Sequence, residues 1–445
     1  MNSRPHHQFA RVSGADAFFE LQSWRLAARE WSSATATRIP LCEVRLWETS
    51  ELSPAYRHSS GKYFSVVGVT HGFYGEERST ASAMIDQPEV GLLGLAIARS
   101  SLGLFALVQA KAEPGTIHGC QISPTVQATR SNQVRAHGGK PVLFLELFRA
   151  PRVVLLDTVQ SEHGSVFWQK RNQSMIVEVP YFEPPVGFRW VKINDLIRHL
   201  AVGNLIHSDL RTILALGPFW KNLNTPFLVT EADRIQKWLE HHRSRIAYSA
   251  TRVPLSDLMG WCRQQDKLHR IDGSGYEVIG IRVDAVGREV DFWDQLMVKP
   301  KAVGLVVLVI REREGALQAL FRTCVEPGIL DFVEIGPTVQ VSGGDQPSDK
   351  MQNQLVRVLA SDSGKMRNAQ ILYDNFHSDE GGRFFQSSVR YVLVNCDISP
   401  PSDEYRWCDI KTLVSIAQLG NILNIQARDA LALLLFLSQV GRHSV

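Results

Sequence analysis

The stretch Glu113-Pro114-Gly115, followed by Pro124-Thr125-Val126-Gln127, decides the fold because the chain contains it twice. It returns as Glu326-Pro327-Gly328, followed by Pro337-Thr338-Val339-Gln340. The glutamate and the glutamine are 14 residues apart in each copy, and the two glutamates are 213 residues apart. Self-similarity with so long a period predicts two tandem domains rather than a solenoid, whose repeats span roughly 20–50 residues.

The duplication extends over nearly the whole chain. Trp24 matches Trp238, and Arg189-Trp190 matches Arg406-Trp407. The offset drifts between 212 and 217 residues, as insertions and deletions in loops would produce. We therefore expect a first half of residues 1–223 and a second half of residues 224–445. Each half alternates short apolar runs with few helical patterns, which predicts an α+β fold made of two mixed α/β domains in tandem.

Composition restricts the class of protein. The 445 residues carry a net charge of only +3, so nucleic-acid binding through a basic surface is not expected. The six cysteines form no Cys-x-x-Cys pair, which argues against a zinc site and for reduced thiols. The N-terminus lacks a signal-peptide core, and every apolar run is shorter than the ~20 residues of a membrane span. We expect a cytoplasmic protein that does not contact a membrane.

Two strand-like segments place polar side chains on one face. Side chains alternate along a strand, so Gln109, Lys111 and Glu113 share a face, as do Thr125 and Gln127. Three of these residue types return in the second copy as Glu326, Thr338 and Gln340. This recurrence favours a ligand pocket in each copy. The alternative is a solvated sheet face, which antiparallel sheets often have.

The two copies differ in charge near these faces. The first copy carries four basic residues that the second lacks: Lys111, Arg130, Lys170 and Arg171. Their counterparts are Cys324, Gly343, Ser387 and Ser388. Arg322 in place of Gln109 compensates only in part. Because arginine and lysine suit anions such as a diphosphate, we expect the first copy to hold the anion site.

Four segments, taken in order, resemble the NDP-hexose 2,3-dehydratases. They are Gln109-Ala-Lys-Ala-Glu-Pro-Gly115, Ser123-Pro-Thr-Val-Gln-Ala-Thr-Arg-Ser-Asn132, Gln160-Ser-Glu-His-Gly-Ser165 and Lys170-Arg-Asn172. The resemblance covers essentially the full length, including the duplication. It implies two Nudix-like domains in a homodimer that uses no metal or other cofactor.

The resemblance also implies an activity. Such enzymes take dTDP-4-keto-6-deoxyglucose, remove water from carbons 2 and 3, and leave a 3,4-diketo-2,6-dideoxy sugar. They serve deoxysugar and antibiotic biosynthesis, and a 3-ketoreductase consumes the product. A non-catalytic nucleotide-sugar-binding protein of the same fold is the first alternative. A Nudix-type hydrolase is the second, which the missing Arg-Glu-x-x-Glu-Glu cluster disfavours, and no Gly-x-Gly-x-x-Gly indicates a dinucleotide site.

Roles follow from the chemistry of the elimination. A base must take the carbon-3 proton, a donor must stabilise the enolate oxygen, and an acid must protonate the leaving hydroxyl. The catalytic candidates are Lys111, Glu113, Glu162 and His163. The substrate-binding candidates are Gln109, Thr125, Gln127, Arg130, Asn132, Gln160, Lys170, Arg171 and Asn172, with Arg130, Lys170 and Arg171 for the diphosphate. A second, simplified pocket is expected around Arg322, Glu326, Thr338 and Gln340, and no metal ligands are expected.

Overall fold

The computed structural model describes residues 15–50, 52–75, 80–136, 138–220, 229–345, 352–353 and 369–440. Its helices in these ranges are α1 (Ala15–Ala27), α2 (Arg130–Gln133), α3 (Glu146–Arg149), α4 (Ile193–Arg198), α5 (Ser208–Leu216), α6 (Val229–Arg245), α7 (Ile410–Ala417) and α8 (Ile425–Val440). The predicted helices around Trp24 and Trp238 are thus present as α1 and α6. None of these described helices has the length and apolar character needed to cross a membrane.

The first half contributes thirteen described strands. They are β1 (Ser33–Ile39), β2 (Trp47–Glu48), β3 (Ala55–His58), β4 (Ser65–Phe73), β5 (Thr80–Asp86), β6 (Gly91–Ser100), β7 (Gly103–Ala112), β8 (Cys120–Ser123), β9 (Val126–Ala128), β10 (Val153–Ser161), β11 (Phe167–Trp168), β12 (Arg171–Glu178) and β13 (Phe188–Lys192).

The second half repeats this series with twelve described strands. They are β14 (Tyr248–Val253), β15 (Trp261–Arg263), β16 (Lys267–Arg270), β17 (Tyr276–Val286), β18 (Phe292–Pro300), β19 (Gly304–Arg313), β20 (Ala316–Val325), β21 (Val333–Gly336), β22 (Val339–Val341), β23 (Gln370–His377), β24 (Val389–Asn395) and β25 (Tyr405–Asp409).

Each half builds the same mixed seven-stranded sheet. The first has the order β10-β12-β6-β7-β13, with β8 on β7 and β9 on β6. The second has the order β23-β24-β19-β20-β21, with β22 on β19 and β25 on β20. In both sheets one central pair is parallel, β12 with β6 and β24 with β19, and the other pairs are antiparallel. This equivalence confirms the predicted tandem duplication of a mixed α/β unit.

The two smaller sheets exchange their outer strands between the halves. β1 pairs antiparallel with β17, from Ser33 opposite Val286 to Ile39 opposite Gly280. β14 pairs in the same way with β4, from Tyr248 opposite Phe73 to Val253 opposite Gly68. The halves are therefore interlocked. The division between residues 223 and 224 stays a prediction, because it falls within residues 221–228, outside the described ranges.

The main hydrophobic core lies between the two seven-stranded sheets. It contains residues of both halves, and α4, α5, α7 and α8 fill its centre. All nine residues of α5 are buried, including Asp209 and Arg211. Arg211 donates to Asp429 of α8 at 2.6 Å, so the buried charge is paired across the two halves. Polar groups that lie at this junction are consequently shielded from water.

Candidate functional site

A polar cavity of about 150 Å³ opens where the first seven-stranded sheet meets the second half. We call it the first cavity. Its charged and amide-bearing wall consists of Gln87, Lys111, Glu113, Gln127, Asn132, Glu162, Lys170, Asn172 and Asp209 from the first half, and of Arg288, Glu380 and Arg383 from the second. The cavity therefore brings together seven of the residues predicted from the sequence and adds five that were not predicted.

Lys111 and Glu113 reach the cavity because of the alternation along β7. The Lys111 Nζ lies 3.4 Å from the Glu113 Oε1. The same ammonium donates to the Gln127 Oε1 at 3.0 Å, which joins β7 to β9. Both side chains of this ion pair are nearly buried, so water screens their interaction only weakly.

A buried histidine supports Glu113 from behind. The Nε2 of His207 donates to the Glu113 Oε2 at 2.9 Å, and the His207 side chain has no exposed surface. The Nδ1 of the same ring lies 3.1 Å from the Asp209 backbone nitrogen, at the start of α5. The Asp209 Oδ2 in turn accepts from the Gln127 Nε2 at 2.5 Å. These contacts form a connected network beneath the cavity.

These neighbours fix the charge of Glu113. Burial by itself would raise the pKa of Glu113, but the charges of His207 and Lys111 hold that pKa well below its usual value. Burial lowers the pKa of His207, while Glu113 and Asp209 raise it by more, so that it lies above the usual value. Glu113 is consequently ionised at neutral pH.

The pKa values of two other carboxyls in the cavity are raised. Burial and repulsion from Glu113 raise the pKa of Glu380 well above its usual value, even though Arg383 opposes this. Burial and repulsion from Asp209 raise the pKa of Glu162. The Glu380 Oε2 accepts the backbone N–H of Arg383 at 3.2 Å, which fixes its position. Two carboxyls whose pKa values are shifted in opposite directions thus line one cavity, the arrangement expected of a base and an acid.

An outer pocket of about 630 Å³ adjoins the first cavity. The two share the lining residues Thr129, Asn132, Arg288 and Arg383. The outer pocket is rich in aromatic residues: Trp47, Tyr63, Phe64, Phe292 and Trp293. The guanidinium of Arg383 lies 4.2 Å from the ring centre of Phe64. A cationic junction thus connects a polar cavity to an aromatic one.

Two segments of the chain, residues 19–216 and 232–434, match a family model described as NDP-hexose 2,3-dehydratase. Together they cover well over half of the sequence. The chain belongs to the NDP-hexose 2,3-dehydratase family. This confirms the resemblance that the repeated segments indicated.

Three curated relatives of this dehydratase family carry the name dTDP-4-dehydro-6-deoxy-alpha-D-glucopyranose 2,3-dehydratase. The protein of Saccharopolyspora spinosa is 33% identical over 95% of this chain and 92% of its own. That of Streptomyces violaceoruber is 35% identical over 89% of this chain and 92% of its own length. That of Amycolatopsis orientalis is 31% identical over 96% of this chain and 94% of its own length. One solved structure, of an ADP compounds hydrolase, covers 38% of this chain and 89% of its own at 14% identity with a TM-score of 0.25, which is too slight for any inference.

Some of the predicted substrate-binding residues make hydrogen bonds that hold strands together. The Thr125 hydroxyl donates to the Leu107 carbonyl at 2.5 Å and accepts the Ala96 N–H at 2.8 Å, so it bridges β7 and β6. Thr338 makes the same bridge in the second half. Gln109 donates to the Pro124 carbonyl at 2.9 Å. The recurrence of this threonine therefore has a cause within the sheet itself, and its role in substrate binding stays a prediction.

Three other candidates lie away from the first cavity and the outer pocket. Gln160 is buried and donates to the Ala417 carbonyl at 2.8 Å, which joins the two halves. Arg130 is exposed at the start of α2, and Arg171 is half-buried at the start of β12. Lys170 does line the cavity, and its ammonium donates to the Glu89 carbonyl at 2.5 Å.

His163 faces a different cavity from its neighbour Glu162. It lines a second cavity of about 190 Å³, which Gln340, Asp379 and Gln426 also line. The Gln426 Nε2 donates to the His163 Nδ1 at 3.0 Å. Successive side chains in an extended segment point to opposite sides, so Glu162 and His163 separate. The predicted set of four catalytic residues is therefore divided, with Lys111, Glu113 and Glu162 in one cavity and His163 in the other.

The second cavity is the pseudo-symmetric counterpart of the first and is less charged. At equivalent positions, Cys324 stands for Lys111, Asn424 for His207, Ser387 for Lys170, and Val166 for Arg383. Glu326 and the predicted Arg322 line a neighbouring pocket of about 670 Å³, which also contains Gln340. Burial raises the pKa of Glu326, because neither His207 nor Lys111 has a charged counterpart beside it.

The residues that sequence reasoning missed had signals in the repeat. His207 and Asp209 lie between the matched Gly203-Asn204 and Arg211, where the second copy has Asn424 and Gln426. Glu380 occupies the position of His163, next to a matched glycine. Comparing the copies position by position could therefore have shown where their polar residues differ. It could not have shown that Glu380 and Arg383 line the cavity of the opposite half.

Proposed function

We propose that this protein is a dTDP-4-keto-6-deoxyglucose 2,3-dehydratase, which eliminates water from carbons 2 and 3 of the hexose. The observation that carries this proposal is that Glu113 and Glu380 line one cavity, where their neighbours lower the pKa of Glu113 and raise the pKa of Glu380. The names of the curated relatives, which align with 89–96% of the chain, support the substrate.

Glu113 is the base in this proposal. The ketone at carbon 4 acidifies the carbon-3 proton, and the Glu113 carboxylate takes it. Lys111, 3.4 Å from Glu113, donates to the developing enolate oxygen. As Glu113 takes the proton and becomes neutral, Lys111 loses the ion pair with that carboxylate. The same ammonium therefore stabilises the enolate more strongly in the transition state than in the ground state.

Glu380 is the acid. The electron pair of the broken C3–H bond first forms the enolate; when the carbon-4 carbonyl reforms, that pair makes the carbon 2–carbon 3 double bond and the C2–O bond breaks. The proton of Glu380 goes to the departing hydroxyl, which leaves as water. The resulting enol at carbon 3 becomes a ketone by tautomerisation, so no external oxidant is consumed. Glu162, to which the Asn172 amide donates, binds a sugar hydroxyl beside this acid.

The nucleotide occupies the outer pocket. Arg288 and Arg383 stand at the junction with the first cavity, where a diphosphate would follow the sugar. The aromatic side chains beyond them offer stacking surfaces for the base. This placement assigns the diphosphate to arginines of the second half, in preference to the exposed Arg130 and to Arg171.

The family membership also supports four finer expectations. We propose that the protein acts as a homodimer in antibiotic deoxysugar biosynthesis. The vicinal diketone product is reactive, so a 3-ketoreductase must consume it. We further propose the division into the halves 1–223 and 224–445, each homologous to the other.

The decisive experiment is incubation with dTDP-4-keto-6-deoxyglucose, a 3-ketoreductase and NADPH, followed by mass spectrometry of the products. We expect a dTDP-linked 2,6-dideoxy sugar. Calorimetry with dTDP runs in parallel. Binding of dTDP without any 2-deoxy product would favour the non-catalytic nucleotide-sugar-binding alternative, and release of a nucleoside monophosphate would favour the hydrolase.

A further inference from the structure

Each Glu-Pro-Gly segment contacts a loop of the opposite half. The Gly115 N–H donates to the Gly381 carbonyl at 2.8 Å, and the Gln386 N–H donates to the Gly115 carbonyl at 2.8 Å. Gly328 makes the equivalent pair of bonds with Gly164 and Gln169, at 2.7 and 2.8 Å. Both glycines thus add a short backbone ladder between the halves.

Space, rather than backbone conformation, requires glycine at position 115. A Cβ there would lie 1.7 Å from the Phe384 carbonyl oxygen and 2.8 Å from the Met297 Cε. Real Cβ atoms do not approach a backbone oxygen so closely, so the segment 378–386 would have to move. Gly115 does not have a positive φ, so conformational strain is not the reason for its presence.

The segment 378–386 carries the two second-half groups that matter most for the first cavity. Glu380 and Arg383 both line that cavity. The segment also approaches the base directly, because a Cβ on Gly381 would lie 2.9 Å from the Glu113 Cβ. Glu113 and Gly115 are two residues apart in one turn, which the Thr116 N–H closes by donating to the Glu113 carbonyl at 3.1 Å. The contact at Gly115 therefore determines how far Glu380 stands from Glu113.

We propose that Gly115 is a positioning residue of the elimination, which fixes the segment 378–386 so that Glu380 faces Glu113 across the first cavity. This inference rests on the function proposed above. It gives the repeated Glu-Pro-Gly segment a role beyond its glutamate. In this proposal neither half is sufficient by itself, since the base and the acid come from different halves.

Gly115→Ala tests the proposal, with Gly343→Ala as a matched control. A Cβ on Gly343 would lie 1.8 Å from the Ala302 carbonyl oxygen, a comparable clash, but this residue lines the second cavity. We expect both variants to unfold at lower temperature. Only Gly115→Ala should lower kcat per folded molecule, by roughly a hundredfold, because misplacement of a catalytic group by about 1 Å has that effect.

The pH profile of kcat distinguishes positioning from a loss of stability. An acid must be protonated, so kcat falls as the pH rises through its pKa. Burial and repulsion from Glu113 raise the pKa of Glu380. If the segment 378–386 moves outward in Gly115→Ala, Glu380 is less buried and farther from Glu113, so its pKa falls. The alkaline limb of the kcat profile then moves to lower pH. A smaller folded fraction would leave the limb in place, as we expect for Gly343→Ala.

Gly381→Ala is a milder variant in case Gly115→Ala does not fold. Its Cβ would lie 2.7 Å from the Thr116 Cγ2 and 2.9 Å from both the Thr116 backbone nitrogen and the Glu113 Cβ. These overlaps are smaller than the 1.7 Å approach at Gly115, and one of them involves a side-chain methyl group. Thr116→Ser removes that methyl group and keeps the hydroxyl, which donates to the Glu113 carbonyl at 2.8 Å. We expect Gly381→Ala to lower kcat and Thr116→Ser to restore part of it in the double variant.

Two results overturn the inference. One is a normal kcat and pH profile per folded molecule in Gly115→Ala or Gly381→Ala, while Glu380→Gln abolishes turnover. The other is an equal loss of kcat in Gly115→Ala and Gly343→Ala, with no movement of the alkaline limb. If instead the wild-type protein forms no 2-deoxy product, the proposed function itself has failed, and the two failures are thereby separated.

Discussion

The imidazole of His207 donates from Nε2 to the Glu113 Oε2 at 2.9 Å, although neither side chain has more than slight contact with solvent. A buried carboxylate costs free energy unless a partner compensates its charge. His207 provides this compensation from behind, and Lys111 provides it from the cavity side. Glu113 is thus an ionised carboxylate, and the face that it turns toward the cavity can contact a substrate.

His207→Asn should raise the pKa of Glu113, because the main opposing charge is lost while the burial remains. A base must be ionised, so kcat rises with pH through its pKa. The acidic limb of the kcat profile should therefore move to higher pH, and kcat at neutral pH should fall by about tenfold or more. The chain itself has asparagine at the equivalent position 424, so the side chain fits this fold. A pH series of initial rates measures the effect.

Asn424→Ala is the control for that series. Asn424 donates to the Gln340 Oε1 at 2.7 Å on the side of the second cavity. We expect lower stability and an unchanged kcat profile. If both variants shift the acidic limb equally, Glu113 is not the base whose titration limits the rate.

Glu380→Gln should lower kcat by about a hundredfold to ten-thousandfold, the range that general acid–base groups supply. The amide keeps the shape and the hydrogen bonds to the backbone N–H groups of Gly382 and Arg383 but has no proton to give. The neighbouring Asp379→Asn is the matched control, because Asp379 lines the second cavity. Rapid-quench turnover and dTDP calorimetry should show lost chemistry and retained binding only for Glu380→Gln. Full turnover in this variant would transfer the acid role to Glu162.

Sequence alone could predict the part of the site that depends on local alternation. Lys111 and Glu113 share a face because they are two residues apart on β7, and the structure places both on the cavity. The same rule put Thr125 with Gln127, but the buried Thr125 hydroxyl bonds to two backbone groups within the sheet. Alternation identifies a face, whereas it does not show whether a hydroxyl has a partner within the sheet.

The remainder of the site depends on how the two halves meet. Glu380 and Arg383 lie more than 250 residues from Glu113 in the chain. The shared hydrophobic core, the exchange of β1 and β14, and the Gly115 contact bring them together. His163 was predicted to act with Glu162, its neighbour in sequence. The structure places them in different cavities because the segment between the halves presents alternate residues to each side. No periodicity within one copy contains this information.

Trp293→Ala should weaken binding of dTDP. Trp293 lines the outer pocket, and loss of base–aromatic stacking costs about 1–3 kcal/mol, which is roughly fivefold to hundredfold in Kd. Trp261→Ala in the second half is the control, because Trp261 lines the second cavity. Isothermal titration with dTDP measures both. An unchanged Kd for Trp293→Ala, with a weakened one for Trp261→Ala, would place the nucleotide in the second cavity.

Thr125→Val should destabilise the fold without changing kcat per folded molecule. Valine has the shape of threonine but leaves the Leu107 carbonyl and the Ala96 N–H without their hydroxyl partner in a buried position. Each buried group that loses its partner costs about 1–3 kcal/mol. Thr338 makes the same bridge between Leu320 and Val309, so Thr338→Val should cost a similar free energy of unfolding. Urea unfolding of both variants, followed by kinetics under folded conditions, measures this. A large rise in KM with Thr125→Val and none with Thr338→Val would return Thr125 to the substrate-binding residues, since only a ligand contact distinguishes the two otherwise equivalent hydroxyls.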